Sequence, residues 1–218
     1  MKRPLILGLK LVGVAVVWGC WVFTANRYFS FFWSIALLWG GIAVVPLLAA
    51  AGRRLLDRYA TSARAAGISP VVHYLVMILL GCAIVVAFRF TQAHPIARVP
   101  FPKKVSLPIL QVTGALAVLT VLNLAVEGLG LPFAAVQSRK IAARWLYARC
   151  RNPMGLYSLL CCIAGAVWLQ SLHAILWTTL WLAPAWILFV RLYEERELEI
   201  RFGEPYLQYK ARTPFFGF

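Results

Sequence analysis

Apolar residues run along this chain in long blocks separated by short polar or charged gaps, and these blocks set the predicted elements. Leu5–Ala25, Phe29–Ala51, Pro70–Phe90, Leu107–Val126, Met154–Gln170 and Ala174–Tyr193 all approach the ~20 residues that a helix needs to cross a bilayer. The pattern predicts an all-α, polytopic transmembrane helix bundle of about six spans. Pro46 and Pro184 fall inside the second and sixth blocks, where a kink is tolerated if neighbours satisfy the freed carbonyl. After Tyr193 the pattern changes. Leu198, Phe202, Tyr206 and Tyr209 recur at helical spacing among charged residues, which predicts a C-terminal amphipathic helix on the membrane surface or on the bundle. Gly203 suits the end of one helical segment, and Pro205 suits the first turn of the next.

Composition supports this picture. Of 218 residues, 62% are hydrophobic and 13% charged, about half the charge of a soluble domain, for which ~25% is usual. The first block follows Lys2 and Arg3 and so imitates a signal peptide. Its length, its tryptophans and the lack of a small-x-small cleavage site mark it as a retained helix. The net charge of +15 resides in the gaps between blocks, the position of flanking cations rather than of a nucleic-acid interface. Most of the cations collect on one side. That side receives Lys2, Arg3 and Lys10, the arginines of the 53–64 gap, the basic run of 139–151 and the cations of 191–212. Arg27, Arg89, Arg98, Lys103 and Lys104 lie opposite. Both termini are therefore expected in the cytoplasm, with anionic membrane lipids around the basic flanks. The gap between Thr91 and Val105, with three prolines and three cations, fits this topology least well and suits an interfacial or re-entrant segment. Five scattered cysteines and three separated histidines show no metal-ligand spacing, so no metal is expected.

The polar residues concentrate in the last third. Glu127-Gly128-Leu129-Gly130-Leu131-Pro132 predicts a turn, and a basic run from Arg139 to Tyr147 follows. No strand precedes the glycines, so they are not a dinucleotide fingerprint. Arg151-Asn152-Pro153-Met154 opens the fifth block, with Pro153 at the first helical position and Asn152 as its N-cap. One hairpin later, five of the seven acidic residues fall between Glu194 and Glu204. Glu197 and Arg201 form an i,i+4 pair worth a few tenths of a kcal/mol on an exposed surface. Taken separately, these clusters are a capped membrane helix and a solvated tail. The hairpin returns Glu194 and Glu195 to the end that carries Arg151, and carboxylates beside lipid are costly unless they hold cations. Together they suit a zwitterionic ligand at the lipid boundary.

Residues 127–218 resemble the isoprenylcysteine carboxyl methyltransferases and phospholipid methyltransferases. The shared elements are the Gly-rich turn, Ile141 and Tyr147, Arg151-Asn152-Pro153-Met154, and the apolar hairpin. Glu194-Glu195-Arg196-Glu197-Leu198 and Phe202-Gly203-Glu204-Pro205-Tyr206-Leu207-Gln208-Tyr209 complete the set. Residues 1–126 form an N-terminal unit of about four spans that carries no such motif. The resemblance implies a membrane-embedded methyltransferase that binds S-adenosylmethionine in the C-terminal helices and takes a lipophilic acceptor from the bilayer, of the isoprenylcysteine-carboxylate or phospholipid kind. By motif position, Tyr147, Asn152, Pro153, Met154 and Gly155 line the cofactor, Ile141 and Ala142 meet it through their backbone, and Glu194 holds a polar or cationic part. Arg191 falls near the substrate-orienting arginine of the family. The implied setting is a bacterial inner membrane. Gly155 stands where many members carry Tyr, and Trp145 where Gly is usual. These departures motivate the alternative, a non-enzymatic or degenerate relative acting as a scaffold.

The chemistry asks for little covalent machinery. A methyl on a sulfonium is already activated, so the protein must mainly align donor and acceptor and exclude water. A carboxylate acceptor needs no base, whereas an amine, thiol or hydroxyl does. Glu195 is the candidate base, and Arg151 or Arg191 the candidate for orienting an anionic acceptor.

Overall fold

A computed structural model describes residues 2–27, 29–94, 97–130 and 137–217, with side chains from Leu7 onward. Its elements are α1 (Lys2–Asn26), α2 (Phe31–Arg58), α3 (Ser62–Ala93), α4 (Lys103–Gly128), the short α5 (Leu146–Arg149), α6 (Pro153–Trp168), α7 (Leu172–Phe202) and α8 (Glu204–Arg212). Among the described residues the only β pairing is an isolated bridge between Arg98 and Ser171. The chain is thus an all-α bundle. Among the described residues, five helices are long and apolar enough to cross a membrane. The remaining predicted span, the fifth block Met154–Gln170, is α6, whose 16 residues rise only ~24 Å at 1.5 Å each.

Several helices outlast the apolar blocks that predict them. α2 runs on to Arg58, α3 begins at Ser62 rather than Pro70, and α7 continues through Phe202. Hydropathy marks the stretch that lipid favours, whereas a backbone already in helical register continues until a capping or breaking residue stops it. The Thr61 hydroxyl accepts from the Arg64 amide at the start of α3. Gly203, at φ +60°, ends α7 and lets Pro205 open α8, as the sequence predicts. Each interior proline of α2 and α7 follows a π-helical turn, Ala36–Gly41 before Pro46 and Thr178–Leu182 before Pro184. At Pro184 the widened turn contains Leu180, whose carbonyl the missing donor leaves free, and the helix continues through it.

The core forms where α3 meets α2 and α7. Val72, Val76, Leu80, Ala83, Val86 and Phe90 make one stripe on α3, Val45, Ala49 and Leu56 one on α2, and Leu182, Ala185, Phe189 and Tyr193 one on α7. Each stripe follows the three-or-four spacing of a helix face. α1 lies outside against α3, and α4 packs on α6. Both expose large apolar side chains outward, Leu11, Trp18 and Phe23 on α1, and Val112, Val118 and Leu122 on α4. Outward apolar faces are what a lipid-facing helix shows. At the end away from the glutamates, the 97–101 segment pairs with the α6–α7 turn. Val99 donates to the Gln170 carbonyl at 3.0 Å, Leu172 to that of Ala97 at 3.0 Å, and the Gln170 amide to that of Phe101 at 2.9 Å.

Gly52 sits where α2 crosses the fully buried Tyr193. A Cβ placed there comes 2.7 Å from two ring carbons of Tyr193, whereas one at Gly19 meets nothing within 4 Å. We expect Gly52→Ala to destabilise the bundle by about 1–3 kcal/mol, read as a lower thermal unfolding midpoint in detergent. Gly19→Ala leaves the midpoint unchanged or raises it.

Candidate functional site

At the end of the bundle that gathers the glutamates, α3, α4, α7, α8 and the 137–152 connection enclose an open-mouthed cleft. Its cavity volume is about 120 Å³, and about 950 Å³ of empty space when the open mouth is counted. Ile141, Ala142, Tyr147, Arg151, Asn152, Met154 and Glu194 all line it. The four residues Leu198, Phe202, Tyr206 and Tyr209 line it too, so the predicted amphipathic stripe lies on the bundle.

The connection that carries half of these residues has no regular structure of its own beyond α5, and side chains from every direction anchor it. Arg139 and Lys140 donate backbone N–H groups to the Gly128 carbonyl at 2.9 and 3.3 Å. The Gln137 amide reaches the Ala66 carbonyl at 2.7 Å, and Asn123 Oδ1 accepts from the Leu146 amide at 3.2 Å. The Tyr209 hydroxyl donates to the Tyr147 carbonyl at 2.7 Å. The turn predicted at 127–132 is entered through the π-helical Leu124–Gly128 and a left-handed Leu129. Its Leu131-Pro132 part lies outside the described residues.

Arg151 is the hub of the C-terminal elements. Its Nε and Nη2 lie 3.1 and 2.9 Å from Glu195 Oε1, and its Nη1 donates to the Lys210 and Thr213 carbonyls at 2.7 and 2.9 Å. The other Glu195 oxygen takes Lys210 Nζ at 2.7 Å. Partial desolvation works against the Lys210 charge, but hydrogen bonds to Glu195 and Glu199 outweigh it and raise the pKa. The chain then crosses back on itself, with the Arg151 amide donating to the Pro214 carbonyl at 3.0 Å. Glu195 is therefore buried, doubly paired and absent from the cleft lining. Arg191 is exposed, its guanidinium 4.7 Å from the Phe215 ring centre, and it too stands outside the cleft.

Four glutamates follow one another on α7, and their environments divide them. Glu195 faces Arg151. Glu197 is 2% exposed and receives Arg201 Nη1 at 2.8 Å, while Arg201 Nη2 reaches the Ser138 carbonyl at 2.5 Å. Glu199 meets Arg196 at 3.2 Å and Lys210 at 3.0 Å. Glu194 has no hydrogen bond or ion pair among the described residues, and it is the one of the first two glutamates that faces the cleft. A π-helical turn at Val190–Glu194 sets this phase of the helix.

Asn152 stands at the N-cap of α6 as its sequence position predicts, but its side chain makes no capping bond. The amide nitrogen is buried without a hydrogen-bond partner among the described residues, on the cleft wall. A buried donor left unpaired costs about 1–3 kcal/mol, so a bound acceptor here removes a penalty. The first amides of α6 are likewise uncapped by any side chain. Pro153 and Gly155 are buried in that first turn behind Asn152 and do not face the cleft. An added Cβ at Gly155 would stand 3.4 Å from the Trp186 indole, which does line it.

Three phenols close one side of the cleft. Burial first, then the Glu194 carboxylate, pushes the Tyr147 hydroxyl above its ordinary range. Burial, then Glu195 and Glu194, does the same for Tyr206, and burial, then Cys150, for Tyr209. At neutral pH they act as neutral hydrogen-bonding groups. The remaining wall comes from residues that carry no sequence motif: Ser69, His73 and Met77 of α3, Leu124 of α4, and Trp186 and Phe189 of α7. The only prior signal among them is a histidine within an apolar block. Comparison of the chain with protein-family models, with curated proteins and with solved structures finds no match.

The Glu197–Arg201 pair is far from the weak surface contact that its spacing suggests, because it is buried and ties the connection to α7. We expect Arg201→Met to destabilise the protein by about 3–5 kcal/mol, since it strands a buried carboxylate. Arg196→Met removes partly exposed pairs to Asp57 and Glu199 and costs at most about 1 kcal/mol. Thermal unfolding of the two variants in the same detergent tests the difference.

Proposed function

We propose that this chain is an integral-membrane, S-adenosylmethionine-dependent methyltransferase that acts on a lipophilic acceptor. The observation that carries the reading is Glu194, an unpaired carboxylate on the wall of a cleft whose other α7 carboxylates all have cations. A carboxylate left unpaired in a half-buried site is costly, and a cationic ligand removes that cost. S-adenosylmethionine is cationic at one end and carries its own carboxylate, and the cleft offers partners for both. Glu194 would hold a positive or hydroxyl-bearing part. The unpartnered Asn152 amide and the uncapped N–H group of Met154 would receive acceptor oxygens. Tyr147 and the backbone of Ile141 and Ala142 would flank the nucleoside.

The cofactor supplies a methyl group on a sulfonium, already activated toward a nucleophile. The residues of this chain bind, align and keep water out. Met77, Leu124, Trp186 and Phe189 form the apolar side of the cleft, facing the membrane-embedded parts of α3, α4 and α7. That side suits a lipophilic acceptor. Arg151 and Glu195 neutralise one another, which suits a role in positioning Asn152 and α6 rather than in proton transfer. The Trp186 indole, beside Gly155 and on the cleft lining, supplies an aromatic surface near the position where members of the resembled family carry Tyr. The side-count of cations favours placing this end of the bundle, and both termini, in the cytoplasm of a bacterial inner membrane.

Titration calorimetry of the detergent-purified protein with S-adenosylhomocysteine tests the reading. We expect binding by the wild type and a loss of about 30-fold or more in Glu194→Ala, as for removal of a charged hydrogen-bond partner worth ~2 kcal/mol. Glu199→Ala, which alters a pair outside the cleft, changes affinity by less than about threefold. No binding by the wild type overturns the proposal. Equal losses in the two variants mean that the acidic segment is structural only.

A further inference from the structure

His73 belongs to α3, in the half of the chain that carries no motif, yet it faces the same cleft as Glu194. Its Nδ1 lies 2.8 Å from the Ser69 carbonyl oxygen, one helical turn back, and 3.2 Å from the Ser69 hydroxyl. A carbonyl oxygen can only accept, so Nδ1 carries the proton of the neutral ring and Nε2 keeps its lone pair. Nε2 has no hydrogen-bond partner among the described residues. Edge-on contacts with Phe189 at 5.3 Å and Tyr193 at 5.7 Å fix the ring plane. This is an oriented imidazole with its basic nitrogen unused.

The charges around it restrict what it can meet. Two guanidiniums line the cleft, and internal acceptors already engage both. Arg151 is held by Glu195 and two carbonyls, Arg201 by Glu197 and the Ser138 carbonyl. Lys140, the other cation on the lining, is an exposed rim residue. Among the described residues no unpaired interior cation lines the cleft to hold a carboxylate acceptor, and Glu195, the base expected from the sequence, is itself consumed by Arg151 and Lys210.

Resting on the methyltransferase reading, we propose that His73 is the general base of this site and that the acceptor is a neutral lipophilic thiol or phenol. These two groups share one chemistry. Each is uncharged in an apolar cleft, and each carries a proton acidic enough, with ordinary pKa values of ~8.5 and ~10, for an imidazole to take as the bond forms. Nε2 accepts the proton from sulfur or oxygen, and the acceptor lone pair forms the new bond to the methyl carbon. The carbon–sulfur bond of the sulfonium breaks, and its electron pair stays on sulfur as a neutral thioether. Glu194, on the same cleft, stabilises the imidazolium until the proton leaves to water at the mouth. Met77, one turn beyond His73, continues the apolar wall along which a hydrocarbon chain would lie.

Two measurements test this. Nitrogen-15 NMR of histidine-labelled, ligand-free protein in detergent is expected to show His73 as the Nδ1–H tautomer, assigned by its loss in His73→Gln. An Nε2–H tautomer overturns the proposal. Methyl transfer from labelled S-adenosylmethionine is then compared for dodecanethiol, 4-nonylphenol and palmitate. We expect the thiol or the phenol to be labelled and palmitate not, and His73→Gln to lower that transfer by about 10²–10⁴-fold. S-adenosylhomocysteine affinity in the same variant, measured by calorimetry, stays within about threefold of wild type, which separates a chemical role from a folding defect. Labelling of palmitate alone, or an unchanged rate in His73→Gln, overturns the inference. Absence of S-adenosylhomocysteine binding by the wild type overturns the methyltransferase reading, and this inference with it.

Discussion

Arg151 touches three chain segments through one planar group, and the C-terminal half is arranged around that contact. Two of its nitrogens face Glu195 on α7, and a third donates to the Lys210 and Thr213 carbonyls at and beyond the end of α8. Because Arg151 immediately precedes Asn152 and Pro153, the same side chain sets where α6 begins. A buried ion pair adds little net stability over an apolar packing of the same shape, since desolvation offsets much of the attraction. Its geometry is nevertheless demanding, for the guanidinium is flat and a carboxylate must meet it edge to edge. The contact therefore fixes relative position more than it raises stability, and the cleft beside it inherits that order.

That cleft draws on both halves of the chain. The motif-bearing half supplies the floor and most polar groups, while α3 supplies a histidine and an apolar wall. Glutamates that look equivalent in sequence are separated by what lies opposite each of them. Glu195, Glu197 and Glu199 complete internal pairs and hold the connection, α7 and α8 together, which leaves Glu194 free to meet something that is not protein. Among the described residues, a site with one unsatisfied acid, one unsatisfied amide and one unused imidazole, set among neutralised charges, is selective by subtraction. Most of its surrounding groups have already been answered from within.

Hydropathy made the helices legible, because burial in lipid requires long uninterrupted apolar runs and little else produces them. It understated their ends, where α2, α3 and α7 continue on polar residues. The position of Arg151-Asn152-Pro153 and the return of the hairpin suggest that Asn152 and Glu194 share one end of the bundle, and both line the same cleft. Spacing alone could not show that Asn152 forgoes its capping bond, nor that Glu195 is paired on both oxygens, since Arg151 and Lys210 meet it only in space, Arg151 from 44 positions away in the chain. The Glu197–Arg201 pair was legible as a pair and not as a buried one. His73 was visible only as an oddity within an apolar run. Its partner on the same helix is a carbonyl, and backbone acceptors leave no mark in sequence.

The π-helical turn at Val190–Glu194 has a consequence for how this helix tolerates length changes. Such a turn accommodates one residue more than the ordinary ladder over the same rise, and each residue of an α-helix advances by about 100°. Removing a single residue there would let the ladder close as an ordinary α-turn while leaving Glu195 and the residues beyond it in nearly the same phase. A deletion further along, where no wide turn takes up the change, would swing the downstream face by about 100° and turn its acids from their cations. The segment thus works as slack in the helix, a stretch at this end where chain length can change without moving the acids that follow.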